Sequence, residues 1–180
     1  MPRLFIAIDL PSAQRERIRS ICSGLPGTRW TPAEQIHLTL RFIGEVDGTL
    51  FQQIADSLAE IKTDPLTLKI EGLGYFPPRR TPRVLWVGLE NNDGLLQLRN
   101  RIETALVRLG LEPEGRKFSP HITIARFKKP SLNRVMAFMD TNNPFELPPF
   151  PVKEFHLYSS KLTARGAIHQ REASYPIRSL

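Results

Sequence analysis

Cysteine occurs once in this 180-residue chain, at Cys22. A single thiol cannot close an internal disulfide, and without neighbouring thiols it is a poor anchor for zinc. Its position in the apolar stripe of a predicted helix marks it as a buried structural thiol. No run of about 20 apolar residues is present, which excludes a spanning helix of ordinary hydropathy. The opening Met1-Pro2-Arg3 leads straight into a strand-like segment, without the apolar core of a signal peptide. These absences point to the cytoplasm, a reducing compartment. A phosphate-loop glycine–lysine motif and a dinucleotide glycine fingerprint are missing too, so no cofactor is implied.

Acidic residues are the scarcer charge: 18 Asp and Glu against 25 Lys and Arg, a net charge of +7. That excess favours a polyanionic partner, of which RNA and DNA are the usual examples. The chain is 41% hydrophobic and 24% charged, the balance of a folded globular protein rather than a disordered one. Its length suits one well-packed domain or two small lobes sharing an interface.

Histidine is also rare, with four in the chain, and two of them stand in matching surroundings. His37-Leu38-Thr39-Leu40 recurs 84 positions later as His121-Ile122-Thr123-Ile124. In an extended strand, alternate side chains share a face, so each histidine shares one with its threonine while the aliphatic residues take the other. Imidazole titrates near neutrality, so one ring can donate a proton while another accepts one. Displacement at phosphorus needs both roles, on opposite sides of the reacting centre. Threonine hydroxyls can donate to non-bridging phosphoryl oxygens. No carboxylate or third histidine follows at ligand spacing, so no metal is expected. His156 and His169 fall outside the repeat and are read as structural or surface residues.

The elements around the motifs also repeat. Leu4 to Leu10 predicts a strand, and Ala13 to Ser23 a helix capped by Ser12. Gly24 to Pro32 reads as loop, and Ile36 to Ile43 as the first histidine strand. A helix capped by Asp47 is predicted over Thr49 to Ile61, then one strand over Leu66 to Leu73. The second half repeats the order: strand Arg83–Leu89, helix Gly94–Leu109, histidine strand His121–Phe127, helix Leu132–Met139 and strand Val152–Ser159. Ala167 to Ile177 can supply one more strand. This ordering predicts a pseudo-twofold α+β body of two lobes, each sheet covered by helices on its outer face. The proline- and arginine-rich stretch Gly74 to Pro82 reads as a basic loop between lobes.

With these motifs in place, the chain resembles the RNA 2′,3′-cyclic phosphodiesterases, the bacterial and archaeal group long called 2′-5′ RNA ligases, within the two-histidine phosphoesterase superfamily. The blocks that carry the resemblance are LFIAIDLP, HLTLRFIGEV, GLGYFPPRRTPRVLWVGL, LGLEPEGRKFSPHITIARF and FHLYSSKL, in order over nearly the full length. It implies a bilobal two-histidine phosphoesterase fold, residues 1–180 forming a single domain with two antiparallel-rich sheets facing a central cleft. It places the proton donor at His37 and the proton acceptor at His121. Thr39 and Thr123 fall on the phosphate-holding positions, and Arg126 on an arginine expected near the nucleotide. The implied partner is an RNA end bearing a 2′,3′-cyclic phosphate, tRNA-derived ends among them, acted on by a monomer with no membrane attachment.

Simple alternation puts Arg126 on the face opposite His121 unless the strand bulges. It puts Arg41 on the His37 face and turns Phe42 away from the catalytic pair; Phe127 is also read as directed away from its pair. The expected reaction is hydrolysis to a 2′-phosphate. Ligation forming a 2′-5′ linkage is the nearest alternative, since a 5′ hydroxyl could replace water, and small cyclic nucleotides are further candidate substrates. A noncatalytic RNA-binding module is the alternative of a different class, but binding alone needs no matched acid and base.

Overall fold

The computed structural model describes residues 1–178. Among the described residues there are ten strands and four helices: the four helices and seven expected strands fall in the order expected, with two of those strands divided and one further strand added. The first half runs β1 (Arg3–Asp9), α1 (Ser12–Ser20), β2 (Thr28–Trp30), β3 (His37–Glu45), α2 (Gly48–Ala59), β4 (Leu66–Leu68) and β5 (Ile70–Phe76). The second half runs β6 (Val84–Leu89), α3 (Asp93–Arg108), β7 (His121–Phe127), α4 (Leu132–Thr141), β8 (Phe150–Val152), β9 (Glu154–Thr163) and β10 (Gly166–Pro176).

Two four-stranded antiparallel sheets organise the molecule, ordered β10-β9-β1-β3 and β2-β7-β6-β5, with β4 and β8 as a separate pair. The first sheet carries His37 and the second His121. The two sheets meet where β3 runs beside β7. Each sheet mixes both halves of the chain: β9 and β10 complete the first, while β2 and β5 complete the second. The halves therefore share an order of elements but are not the two lobes.

The helices form where period-3.6 apolar positions coincide with a capping residue. Asp47 accepts the Leu50 backbone N–H at 2.8 Å and Asn92 accepts that of Leu95 at 2.9 Å, starting α2 and α3. Their apolar faces, Ile54 and Leu58 on α2 and Leu95, Leu98, Ile102 and Leu106 on α3, are essentially fully buried. Against them lie Leu4, Ile6, Ile8, Leu38, Leu40, Leu85, Val87, Ile122 and Ile124, all in one contiguous core. Burying a Leu or Ile side chain contributes roughly 1.5–3 kcal/mol, so this core is what keeps the two sheets together.

Several expectations are corrected. Ser12 does not cap α1: Pro11 occupies the N-cap position and makes no side-chain capping bond. The Gly24–Pro32 loop contains β2, whose three residues pair with β7. The single strand over Leu66–Leu73 is two, because β4 pairs with β8 while β5 pairs with β6. Likewise Val152–Ser159 divides at Lys153 between β8 and β9. The basic proline stretch is no link between lobes; its first residues belong to β5, and the remainder closes a hairpin to β6 within one sheet. No described helix is long and apolar enough to cross a membrane.

Candidate active site

A one-residue slip in each histidine strand decides which side chains share the histidine's face. Along β3, Ala7 pairs with Thr39 and Ile6 with Arg41, leaving Leu40 unmatched. Along β7, Trp86 pairs with Thr123 and Leu85 with Ala125, leaving Ile124 unmatched. An extra residue of this kind reverses the alternation beyond it. Both bulges fall at the last residue of the His-x-Thr-x tetrapeptide. The fifth residue after each histidine thus returns to the histidine's face: Phe42 in one sheet and Arg126 in the other.

Exposure and contacts agree with this count. Phe42 is 61% exposed, its ring 6.0 Å from that of Phe5, which in turn stacks on His37 at 5.2 Å. Arg126 is exposed, whereas Ala125 is fully buried. Arg41 is turned into the core side, contrary to the simple alternation. There its Nε donates to Glu103 of α3 at 2.7 Å, and its remaining nitrogens donate to the Phe42 and Glu112 carbonyls. Burial works against the Glu103 charge, but the Glu114 backbone N–H and the Arg41 guanidinium outweigh it and hold that carboxyl below its usual range. Arg41 is thus a tie between β3 and α3. Phe127 is directed away from the histidine face because the same bulge reverses its phase; unbroken alternation, six residues on from His121, would have left it on that face. Trp30 lies on the same far side, packed on Phe138 of α4. The depression between Thr28, Phe127, Lys129 and Arg134 opens there too and includes no histidine.

The His37 ring sits among aromatic neighbours from three strands. Phe5 of β1 and Tyr158 of β9 lie nearly parallel to it, and the His169 ring of β10 is 5.5 Å away. Asp9, directly across from His37 in the register, accepts from the Tyr158 hydroxyl at 2.6 Å, pairs with Arg171 and lies 3.5 Å from His156 Nε2. Burial first, and the charge of His169 second, push the His37 imidazole down to about 4, against the opposing pull of Asp9. Burial also lowers His156 and His169. Sequence reading left these two histidines out because only folding brings β9 and β10 alongside β1.

These shifts fix the sign of an acid effect. A histidine held below its ordinary value of 6.5 takes up fewer protons folded than unfolded as the pH falls, so acidification favours the unfolded chain. Thermal stability is expected to decline between pH 6.5 and 4, and His37→Gln should lose part of that decline. An equal decline in the variant, followed by calorimetry, would refute the assigned burial.

His121 is held differently. Its Nδ1 lies 2.7 Å from the Ser119 carbonyl, which can only accept. The proton therefore belongs on Nδ1, and the neutral ring offers an unprotonated Nε2 as an acceptor. Phe76 of β5 meets this ring edge-on at 4.8 Å, and Trp86 of β6 stands at 6.3 Å. Trp86 lies over Gly74: a Cβ there would come within 2.1 Å of the indole. Among the described residues, no group of three His, Cys, Asp or Glu is placed to hold a metal ion.

Known proteins similar to this chain identify its family and fold. A model of the 2'-5' RNA ligase superfamily matches residues 10–163. An Archaeoglobus fulgidus RNA 2',3'-cyclic phosphodiesterase is 31% identical over 173 residues, covering 93% of this chain and 96% of its own. A Thermotoga maritima protein of the same name is 35% identical over 176 residues, covering 93% and 91%. Among solved structures, a Thermus thermophilus protein superposes with a TM-score of 0.81 at 26% identity over 98% of both chains. Escherichia coli LigT, solved in complex with 3'-AMP, superposes with a TM-score of 0.75 at 26% identity over 99% of both chains. With the family model spanning most of its length and the fold shared end to end, this chain belongs to the 2'-5' RNA ligase superfamily.

Proposed function

We propose that this chain, acting as one two-lobed domain in the cytoplasm, hydrolyses the 2′,3′-cyclic phosphate at an RNA end to a 2′-phosphate. Its relatives' shared name makes it an enzyme, a phosphoric diester hydrolase. The observation that best supports the finer reading is the twinned bulge. It puts His37 and Thr39 with Phe42 on one sheet, and His121 and Thr123 with Arg126 on the other, where β3 and β7 run together.

In this reading His121 takes the proton from a water through Nε2, the nitrogen that the Ser119 carbonyl leaves free. The water attacks phosphorus, and His37 protonates the departing ribose 3′ oxygen. Thr39 and Thr123 donate to the non-bridging oxygens, and Arg126 neutralises their charge. His37 must be protonated to serve as donor, whereas the protein by itself keeps it neutral near neutrality. The anionic phosphate beside the ring supplies what is missing, since an adjacent opposite charge favours the imidazolium. Substrate binding thus brings the proton to the acid. Phe42 offers a face for the terminal base, a contact worth about 1–3 kcal/mol. The cyclic ester already holds its phosphate against the ribose, so positioning and proton transfer can supply much of the rate.

The decisive assay incubates the protein with an RNA bearing a 2′,3′-cyclic phosphate in excess chelator and identifies the product. A 2′-phosphate formed at undiminished rate is expected. A 3′-phosphate would reverse the leaving-group assignment, and activity restored only by an added metal would overturn the acid–base mechanism. Ligation is disfavoured because water at about 55 M competes with any RNA hydroxyl not held in place.

A further inference from the structure

We propose that Arg29 binds the phosphodiester one nucleotide upstream of the reacting end, making the protein selective for a polynucleotide terminus over a single cyclic nucleotide. This rests on the reading above and adds a subsite to it. Arg29 is the residue of β2 directly opposite Arg126 of β7. Its neighbours in β2 fix its direction. Trp30 packs on α4, so Arg29 points the other way, onto the face that Arg126 shares with His121 and Thr123.

The two arginines therefore stand directly opposite each other across one antiparallel pair, their Cβ atoms about 5 Å apart. Like charges in that arrangement repel, and an anion lying between or beside them removes the cost. Among the described residues neither group has a carboxylate partner, although Arg41, Arg99, Arg116 and Arg171 all do. Both are exposed. The pair is a cationic site without an internal counterion.

A second observation concerns the direction in which Arg29 extends that site. The hairpin joining β9 to β10 arches from the first sheet until its turn touches the edge of the second. Gln35 Nε2 donates to the Ala167 carbonyl at 2.6 Å, and the Arg29 guanidinium lies against Gly166. A Cβ on Gly166 would stand 2.6 Å from Arg29 Nη2, and the φ of +118° is one that side chains rarely adopt. Glycine at the turn leaves the space that the guanidinium fills. Arg29 thus lies at the end of the histidine face, one strand beyond Arg126, which is itself one strand out from β6. A strand of RNA with its terminal phosphate between the histidines would carry its next phosphate toward this end. Each guanidinium can make paired hydrogen bonds to phosphate oxygens.

The test compares two ligand pairs on wild type, Arg29→Gln and Arg29→Lys. One pair is cleavable: a short RNA ending in a 2′,3′-cyclic phosphate, and the corresponding mononucleoside cyclic phosphate. The other is not: a dinucleotide ending in a 2′-phosphate, and the nucleoside 2′-phosphate, read by equilibrium binding. Arg29→Gln is expected to reduce the preference for the longer member roughly tenfold in both pairs, about the worth of one charge-assisted hydrogen bond. It should also flatten the dependence of log affinity on log salt by about 0.7, one phosphate's share on a single strand. Arg29→Lys should keep the salt slope and recover part of the preference. Equal losses on long and short ligands, or an unchanged salt slope, would overturn the subsite. Failure of wild type to cleave either substrate would overturn the hydrolase reading, and the binding pair would still judge Arg29.

Discussion

Replacing His37 or His121 with alanine is expected to lower turnover by roughly 10²–10⁴-fold, the usual weight of a positioned acid or base. Neither ring lies in the apolar core, so a cooperative unfolding transition should persist in both variants. The two losses differ in kind. In the proposed mechanism, without His37 the leaving oxygen would depart unprotonated, and without His121 the attacking water would keep its proton. A substrate with a much better leaving group, needing little help to depart, should therefore rescue the His37 variant far more than the His121 variant. Equal rescue, or preferential rescue of the His121 variant, would refute the division of roles even with both residues essential. Thr39→Ala or Thr123→Ala should be milder, since each removes one hydrogen bond that its neighbours can partly replace.

The largest effect on stability is expected at Glu103. Glu103→Ala leaves the Arg41 guanidinium, 9% exposed, without its closest counter-charge. Breaking a buried pair in this way costs about 3 kcal/mol, which for a chain of this size lowers Tm by roughly 6–12 °C. Removing both charges with Arg41→Met and Glu103→Leu should restore much of the loss, because a well-packed apolar pair avoids the desolvation of two ions. Turnover per folded molecule should hold in the double variant, since Arg41 faces α3 rather than the histidines. A single variant as stable as wild type by denaturant titration would show that the pair contributes nothing. A double variant that folds but does not turn over would return Arg41 to the active site.

The opposite placement of Arg41 and Phe42 shows where sequence ceases to be informative. Alternation over His37 to Leu40 was legible because the aliphatic and polar residues differ in kind and both copies agree. Four helices and the order of the strands were legible for the same reason, their apolar positions repeating at the right period. A bulge leaves no comparable mark: the next residues, Arg41-Phe42 and Ala125-Arg126, read equally well in either phase. Only the partner strand reveals the slip, through Ile6 across from Arg41 and Leu85 across from Ala125. The same limit hid β2, three residues between turn signals, whose pairing depends wholly on β7. It hid the setting of His37 too, because Phe5, Tyr158 and His169 reach it from three strands far apart in sequence.

The twinned bulges also bear on polarity. In the proposed reaction, a pair of matched His-x-Thr strands could receive a phosphodiester in either of two orientations, with acid and base exchanged. At the fifth position the match ends: one strand presents the flat apolar face of Phe42, the other the cation of Arg126. A terminal nucleotide has a base on one side and a charged backbone on the other, so only one of the two orientations satisfies both. The two strands share a motif and a bulge, and a single unlike residue on each distinguishes them; in the proposed reaction that difference would set its direction.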